Sequence, residues 1–128
     1  MPSGTLALRT VAMPKDTNPN GDIFGGWLIS QMDLAASTCA KQACYCRVAT
    51  VAMDSISFLQ PVSVGDILCF YTELLSTGRS SMKIRIEAWK ISLKRKDEQR
   101  IKVTEGVFTF VALDDAGKSK PVFSSETK

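Results

Sequence analysis

Histidine is absent from the 128 residues of this chain. This absence excludes Ser-His-Asp and Cys-His catalysis, a histidine-based metal site and an imidazole general base. Any chemistry must therefore use carboxylates, hydroxyls, thiols, lysine or backbone dipoles.

Long apolar runs and an excess of one charge are also lacking. No run approaches the ~18 apolar residues of a membrane span, and residues 1–5 lack the basic start and apolar core of a secretion signal. The net charge of +3 comes from 16 basic and 13 acidic residues, too balanced for a nucleic-acid surface. We therefore expect one cytoplasmic domain over 1–128, with no membrane or nucleic-acid partner and a frayed tail at 122–128.

The four cysteines do not form a metal or disulfide pattern. Cys39, Cys44, Cys46 and Cys69 have spacings that fit neither a zinc ribbon nor a disulfide framework. The sequence predicts reduced, mostly buried thiols and no metal site.

Hydrophobic periodicity predicts an α+β chain. The predicted elements are a strand at 6–13, a helix from Trp27 to about Cys44, and strands at 47–58, 67–77, 81–92 and 101–112. In the strand at 81–92, Met82, Ile84, Ile86 and Ala88 alternate with Lys83, Arg85, Glu87 and Trp89. This alternation predicts one buried face and one face mostly in contact with solvent. This order of elements predicts an antiparallel sheet wrapped around one central helix.

A polar loop at 15–24 leads into a Gly25-Gly26 step at the start of the helix. Backbone N–H groups at a helix start carry partial positive charge, so this junction can hold an oxyanion or a phosphate. Asp33 supplies the only carboxylate on the helix. It is the candidate catalytic acid.

Each of these features also has a purely structural interpretation. Asp33 shares a polar stripe with Ser30, Ser37 and Lys41 at helical spacing, and such stripes usually face water. Gly25-Gly26 is a weak signal alone, because it also suits a flexible turn. Three loop residues can orient water or substrate, but such residues before a helix are more often turn formers: Asn18, Asn20 and Asp22.

Six separated blocks carry a further signal. They read NPNGDIFGGW at 18–27, SQMD at 30–33, RV at 47–48, FLQPVSVGD at 58–66, GRSS at 78–81 and VFTFVA at 107–112. Together they resemble the hotdog-fold acyl-CoA thioesterases, most closely the YciA-type branch. The resemblance implies a five-stranded hotdog fold, hydrolysis of acyl-CoA to a free acid and CoA, and a homodimer or a trimer of dimers.

The spacing of the acid and the glycines indicates a shared site. Asp33 lies seven residues after Gly26, or roughly 10 Å along a helix. A nucleophile must reach within ~3 Å of a thioester carbonyl held at a helix start. Asp33 therefore cannot serve its own glycines. The family resemblance likewise implies that the acid and the helix start come from opposite subunits, with the acid acting as general base or as nucleophile.

The binding residues follow from the resemblance and from side-chain chemistry. The resemblance places the turn at Gly78, Arg79, Ser80 and Ser81 on the CoA surface, and an arginine fork can bind phosphate. A glycine with neighbouring hydroxyls is nevertheless expected in a turn between two strands whatever the function. Positive charge for the nucleotide end of CoA can come from Lys83 or from a basic stretch further along the chain. That stretch contains Lys90, Lys94, Arg95, Lys96, Arg100 and Lys102. A solvated hairpin tip is the better explanation for it.

The candidates for the acyl channel are Phe58, Leu59 and Pro61, but packing in the core explains these residues equally well. Trp27 and Met32 have the same two interpretations.

Two rival functions remain open at this point. A hotdog domain can bind acyl-CoA without cleaving it, as a sensor or regulator. A hotdog dehydratase is disfavoured. The resemblance implies that the dehydratases of related folds use histidine, and this chain has none. No cofactor is expected, since CoA belongs to the substrate and the product.

Overall fold

The computed structural model describes residues 2–91 and 100–123. Strand β1 spans Thr5–Val11 and helix α1 spans Gly25–Cys44. The strands that follow are β2 at Arg47–Phe58, β3 at Ile67–Thr77, β4 at Ser81–Ile91 and β5 at Arg100–Leu113. Within the described residues, no helix has the length and hydropathy needed to cross a membrane.

The five strands form one antiparallel sheet in the order β1-β3-β4-β5-β2. Helix α1 contacts every strand of this sheet. This is the predicted hotdog fold. Strand β2 lies at one end of the sheet and pairs only with β5 among the described strands, so its outer edge is open.

The core lies between α1 and the inner face of the sheet. The four alternating apolar residues of β4 are fully buried there, which confirms the pattern predicted for that strand. They pack with Phe70, Phe108 and Phe110 and with the small side chains of α1. Alanines at positions 35, 36 and 40 let the helix approach the sheet closely.

The opposite face of the sheet is less exposed than the alternation predicts. Glu87 is only 4% exposed. Its Oε1 accepts hydrogen bonds from the Ser3 backbone amide at 3.1 Å and from the Trp89 indole at 2.9 Å. Lys102 lies 3.5 Å from its other oxygen. The residues before β1 therefore cross this face and cover a carboxylate that the sequence pattern assigns to solvent.

The prediction of four reduced thiols is wrong for one pair. Cys44 and Cys46 form a disulfide, whereas Cys69 is a buried free thiol and Cys39 a half-buried one. The pair flanks Tyr45, whose φ of 52° ends the helix and turns the chain back on itself. The prediction failed because sequence spacing does not show this reversal.

The predicted frayed tail at 122–128 begins with a residue that is in fact held in place. Val122 is 2% exposed, and its amide donates to the Arg79 carbonyl at 2.8 Å. Residues 124–128 of that predicted tail, and Ser92 of the predicted fourth strand, lie outside the described residues.

Candidate active site

Helix α1 begins without a side-chain cap. Its N-cap residue, Phe24, makes no side-chain hydrogen bond, and the first helical bond runs from the Leu28 amide to the Phe24 carbonyl at 3.2 Å. The amides of Gly25, Gly26 and Trp27 therefore precede the first helical bond. A Cβ placed on Gly26 would meet no described atom within 4 Å. The helix start is open to a ligand there.

The loop before the helix is held by one asparagine. Asn18 Oδ1 accepts from the backbone amides of Asn20 and Asp22, at 2.9 and 3.1 Å. The Asn18 amide donates to the Asp22 carbonyl at 2.7 Å. The three predicted site residues are thus brought together as a turn that presents the helix start.

Asp33 differs from the other residues of its polar stripe. The Ser30 and Ser37 hydroxyls donate to carbonyls of their own helix, at 2.6 and 2.8 Å. Asp33 instead accepts a 2.6 Å hydrogen bond from the hydroxyl of Thr50, on the open edge strand β2. This half-buried carboxylate is therefore held against the sheet, whereas the two serines of the stripe bond to backbone carbonyls of the helix.

An apolar cleft of about 390 Å³ opens beside the helix start. It is lined by Ile23, Phe24, Gly25, Leu28, Phe58, Leu59, Gln60, Pro61 and Val62. The Phe58 ring packs over Gly25, 3.3 Å from the position a Cβ would take. The structure thus joins the three predicted acyl-channel residues to the helix start. The two further candidates for the acyl channel are Trp27 and Met32. Met32 is fully buried in the core, and Trp27 packs against the core.

The predicted catalytic residues lie in two separate places within one chain. Gly25 contacts Phe58 at the end of β2, whereas Asp33 contacts Thr50, eight residues earlier on that strand. On α1, Gly25 and Asp33 are eight residues apart, which at about 1.5 Å of rise per residue is roughly 12 Å along the helix axis. The chain does not bring its own acid and glycines together.

The turn at Gly78–Ser81 lies at the Asp33 end of the sheet. Thr50 pairs with Phe110 on β5, and Phe110 pairs with Met82, the residue after this turn. The Gly78 amide donates to the Ser81 carbonyl at 2.9 Å, which closes the hairpin. Arg79 is exposed beside it, and Lys83 is exposed on β4.

The basic stretch is partly occupied by internal contacts. Lys90 donates to the Pro61 carbonyl at 2.6 Å and Arg100 to the Tyr71 hydroxyl at 2.9 Å. Lys102 pairs with Glu105 at 2.7 Å, and these contacts raise the pKa of Lys102. Residues 94–96 lie outside the described residues.

Comparison with known proteins gives one consistent result. The family model for the thioesterase superfamily matches residues 20–95. The acyl-CoA thioester hydrolase YciA of Escherichia coli is 48% identical over 121 residues, which cover 94% of this chain and 92% of the relative. The chain belongs to the thioesterase superfamily.

Solved structures of thioesterases share this fold. A hexameric thioesterase from Yersinia pestis matches with a TM-score of 0.91 and 51% identity, covering 97% of this chain and 100% of that one. An acyl-CoA hydrolase from Staphylococcus aureus, in complex with butyryl coenzyme A, matches with a TM-score of 0.81 and 32% identity, covering 89% and 68%. The chain is therefore a hotdog-fold thioesterase.

Sequence reasoning missed the contact between Thr50 and the candidate acid Asp33. Threonine is an ordinary strand former, and Thr50 lies 17 residues from Asp33 in the chain. The contact arises only because β2 returns alongside α1. No local motif marks it.

Proposed function

We propose that this thioesterase hydrolyses acyl-CoA at sites shared by two copies of the chain, each site combining Asp33 of one copy with Gly25-Gly26 of the other. The supporting observation is that Asp33 is fixed on Thr50, far from the glycines of its own helix. Each chain thus carries two half-sites.

The open edge of β2 supports the proposed pairing of two chains. An unpaired strand edge readily accepts a strand from another molecule. The edge strand has 12 residues and exposes Val51 and Met53, at 57% and 40%, and Leu34 next to Asp33 is 54% exposed. Pairing along this edge about a two-fold axis would bury these side chains and bring the half-sites of the two copies closer.

The proposed reaction uses a carboxylate and backbone amides. The amides at Gly25 and Gly26 hold the thioester oxygen and stabilise the negative charge that develops on it. Asp33 either removes a proton from the attacking water or attacks the carbonyl itself, giving an anhydride that water opens. The leaving CoA thiol has a pKa near ~8.5, so it can depart as a thiolate. We propose no cofactor for these steps.

The two parts of the substrate have different proposed contacts. The acyl chain lies in the cleft between the helix start and the Phe58-Leu59-Pro61 segment, whose lining is mostly apolar. The phosphates of CoA lie near the Gly78–Ser81 turn, where the exposed Arg79 offers two parallel donors. In this arrangement Lys83 adds positive charge.

We propose a homodimer as the catalytic unit and a trimer of dimers as the full assembly. The Yersinia pestis relative is described as hexameric, which supports the larger assembly. The cytoplasmic location and the absence of nucleic-acid and membrane partners stay predictions of the sequence.

The direct test of function is thiol release from short, medium and long acyl-CoA substrates by the wild type and by Asp33→Asn. We expect turnover by the wild type and a 10²- to 10⁴-fold lower kcat, roughly, in the variant, because general-base groups contribute about that much. Ser37→Ala is the matched control, because within the described residues the Ser37 hydroxyl bonds only to its own helix. A wild type that binds CoA esters without releasing thiol would contradict the proposal and favour a sensor.

A further inference from the structure

The disulfide between Cys44 and Cys46 lies at the junction of α1 and β2. Cys44 is the last helical residue and Arg47 the first strand residue, so only Tyr45 and Cys46 form the junction. Tyr45 has φ of 52°, and its amide donates to the Lys41 carbonyl at 2.7 Å. This turn places the two cysteine Cα atoms 5.3 Å apart, within the range of disulfides.

A purely structural role explains this bond poorly. A disulfide stabilises a fold mainly by restricting the unfolded chain, and the effect grows with the length of the closed loop. Here the sequence separation is 2 residues, so little chain is restricted. The turn is also held independently by the Tyr45–Lys41 hydrogen bond.

The junction is accessible to a small molecule. Tyr45 is 90% exposed and Cys46 is half-buried, whereas Cys44 is 8% exposed. Cys46 is therefore the more exposed of the two cysteines to an incoming thiolate. Lys41 and Arg47 are both exposed close to the pair in the chain, and positive charge favours the thiolate form.

We propose that Cys44 and Cys46 form a thiol–disulfide exchange site for low-molecular-weight thiols, separate from the thioesterase site. In the first step a thiolate bonds to Cys46 Sγ, the Cys44–Cys46 bond breaks, and Cys44 leaves as a thiolate and takes a proton. In the second step another thiol attacks the external sulfur and releases Cys46. Two external thiols are thereby oxidised to one disulfide, and the protein disulfide is reduced to two thiols.

The test measures the redox state of each cysteine in the full-length wild type. The protein is equilibrated with mixtures of reduced and oxidised glutathione, quenched in acid, unfolded, alkylated and analysed by mass spectrometry with peptide mapping. Cys39 and Cys69 serve as internal controls, because both are free thiols. We expect the alkylated cysteines to rise from two to all four in one step as reduced glutathione increases, with the change confined to Cys44 and Cys46.

A second measurement traps the first step. Cys44→Ser exposed to oxidised glutathione should gain one glutathione, on Cys46, and Cys39→Ser should keep the wild-type transition of the pair. The proposal is overturned if all four cysteines alkylate at every glutathione ratio, or if the pair never becomes reduced. Asp33→Asn should exchange like the wild type, so a failure of the thioesterase proposal would leave this result unchanged.

Discussion

At the scale of single residues, the contact with Thr50 distinguishes Asp33 from the serines of its polar stripe, whose hydroxyls bond to their own helix. The 2.6 Å bond fixes one oxygen of Asp33, and within the described residues no hydrogen bond holds the other. Hydrogen bonds to ionised groups are the stronger ones in proteins. Thr50 therefore orients the carboxylate on which the proposed chemistry depends.

Replacing Thr50 with valine should lower kcat while leaving the fold intact. Valine keeps the branched shape and removes the hydroxyl, and a hydrogen bond to a charged group contributes about 1.5–3 kcal/mol, or roughly 10- to 100-fold in rate. Thr50→Ser should restore most of the activity. Thr38→Val is the control, because in the part of the chain that the structure describes the Thr38 hydroxyl bonds only to the Leu34 carbonyl of its own helix. A wild-type kcat in Thr50→Val would exclude an orienting role.

Glu87 gives a residue-scale prediction about acid stability. Burial disfavours its charged form, but the hydrogen bonds from Trp89 and Ser3 and the charge of Lys102 outweigh this and lower the pKa of Glu87 below its ordinary 4.5. A carboxyl with a lower pKa in the folded state adds stability above its ordinary pKa, and this stability is lost as the pH falls through the folded value.

Glu87→Gln should therefore reduce the free energy of unfolding at neutral pH by about 1–3 kcal/mol and flatten its decline below pH 4.5. Urea unfolding across a pH series measures both effects. Glu73→Gln is the control, because the Glu73–Arg85 pair is 44% and 40% exposed and such pairs contribute little. An unchanged acid slope in Glu87→Gln would contradict the assignment.

At the scale of secondary-structure elements, the start of α1 and the end of β2 together line the cleft proposed to hold the acyl chain. Phe58 closes this cleft over Gly25. Phe58→Ala should enlarge it and raise kcat/KM for long acyl chains relative to short ones, by roughly 3- to 10-fold, because each buried methylene contributes about 0.8 kcal/mol. Phe123→Ala, at a 65% exposed position, should leave this ratio unchanged. An unaltered preference in Phe58→Ala would place the acyl chain elsewhere.

Elements with strong periodicity could be predicted from the sequence. The predicted strands at 47–58 and 67–77 match β2 and β3 at both ends, and the helix begins two residues before the predicted Trp27. That difference arises because the helix starts on the glycines themselves. Alternation predicted the buried face of β4 correctly, since one residue in two must face the core.

Features that depend on contacts distant in the chain could not be predicted. Glu87 is buried by Ser3, which lies 84 residues away, and the hydroxyl donor to Asp33 comes from β2. The Cys44–Cys46 bond depends on the αL conformation of Tyr45, which no residue type in that segment demands. In each case the deciding information is tertiary geometry.

At the scale of the whole molecule, the division of the site within one chain is the central observation. The helix start and the apolar cleft lie near the end of β2. Asp33 and Thr50 lie toward the beginning of β2, at the same end of the sheet as the Gly78–Ser81 turn. A second chain on the open edge would complete both halves. On this account the monomer is inactive.

Subunit mixing tests this account most directly. One chain carries Asp33→Asn, and the other carries Gly26→Pro, which removes one backbone donor in the first turn of the helix, where proline is tolerated. Gly26→Ala is the matched control, because it keeps the N–H and its Cβ meets no described atom within 4 Å. The two inactive chains are co-expressed with different affinity tags, and thiol release is measured on the purified hybrid and on each parent.

A shared site predicts that activity returns on mixing. In a hybrid dimer one site has both defects and the other has none, so the purified hybrid should recover about half of wild-type activity for a two-fold symmetric dimer. Hybrids that contain both chains and release no more thiol than the parents would contradict the account, because they would show that Asp33 acts with the glycines of its own chain.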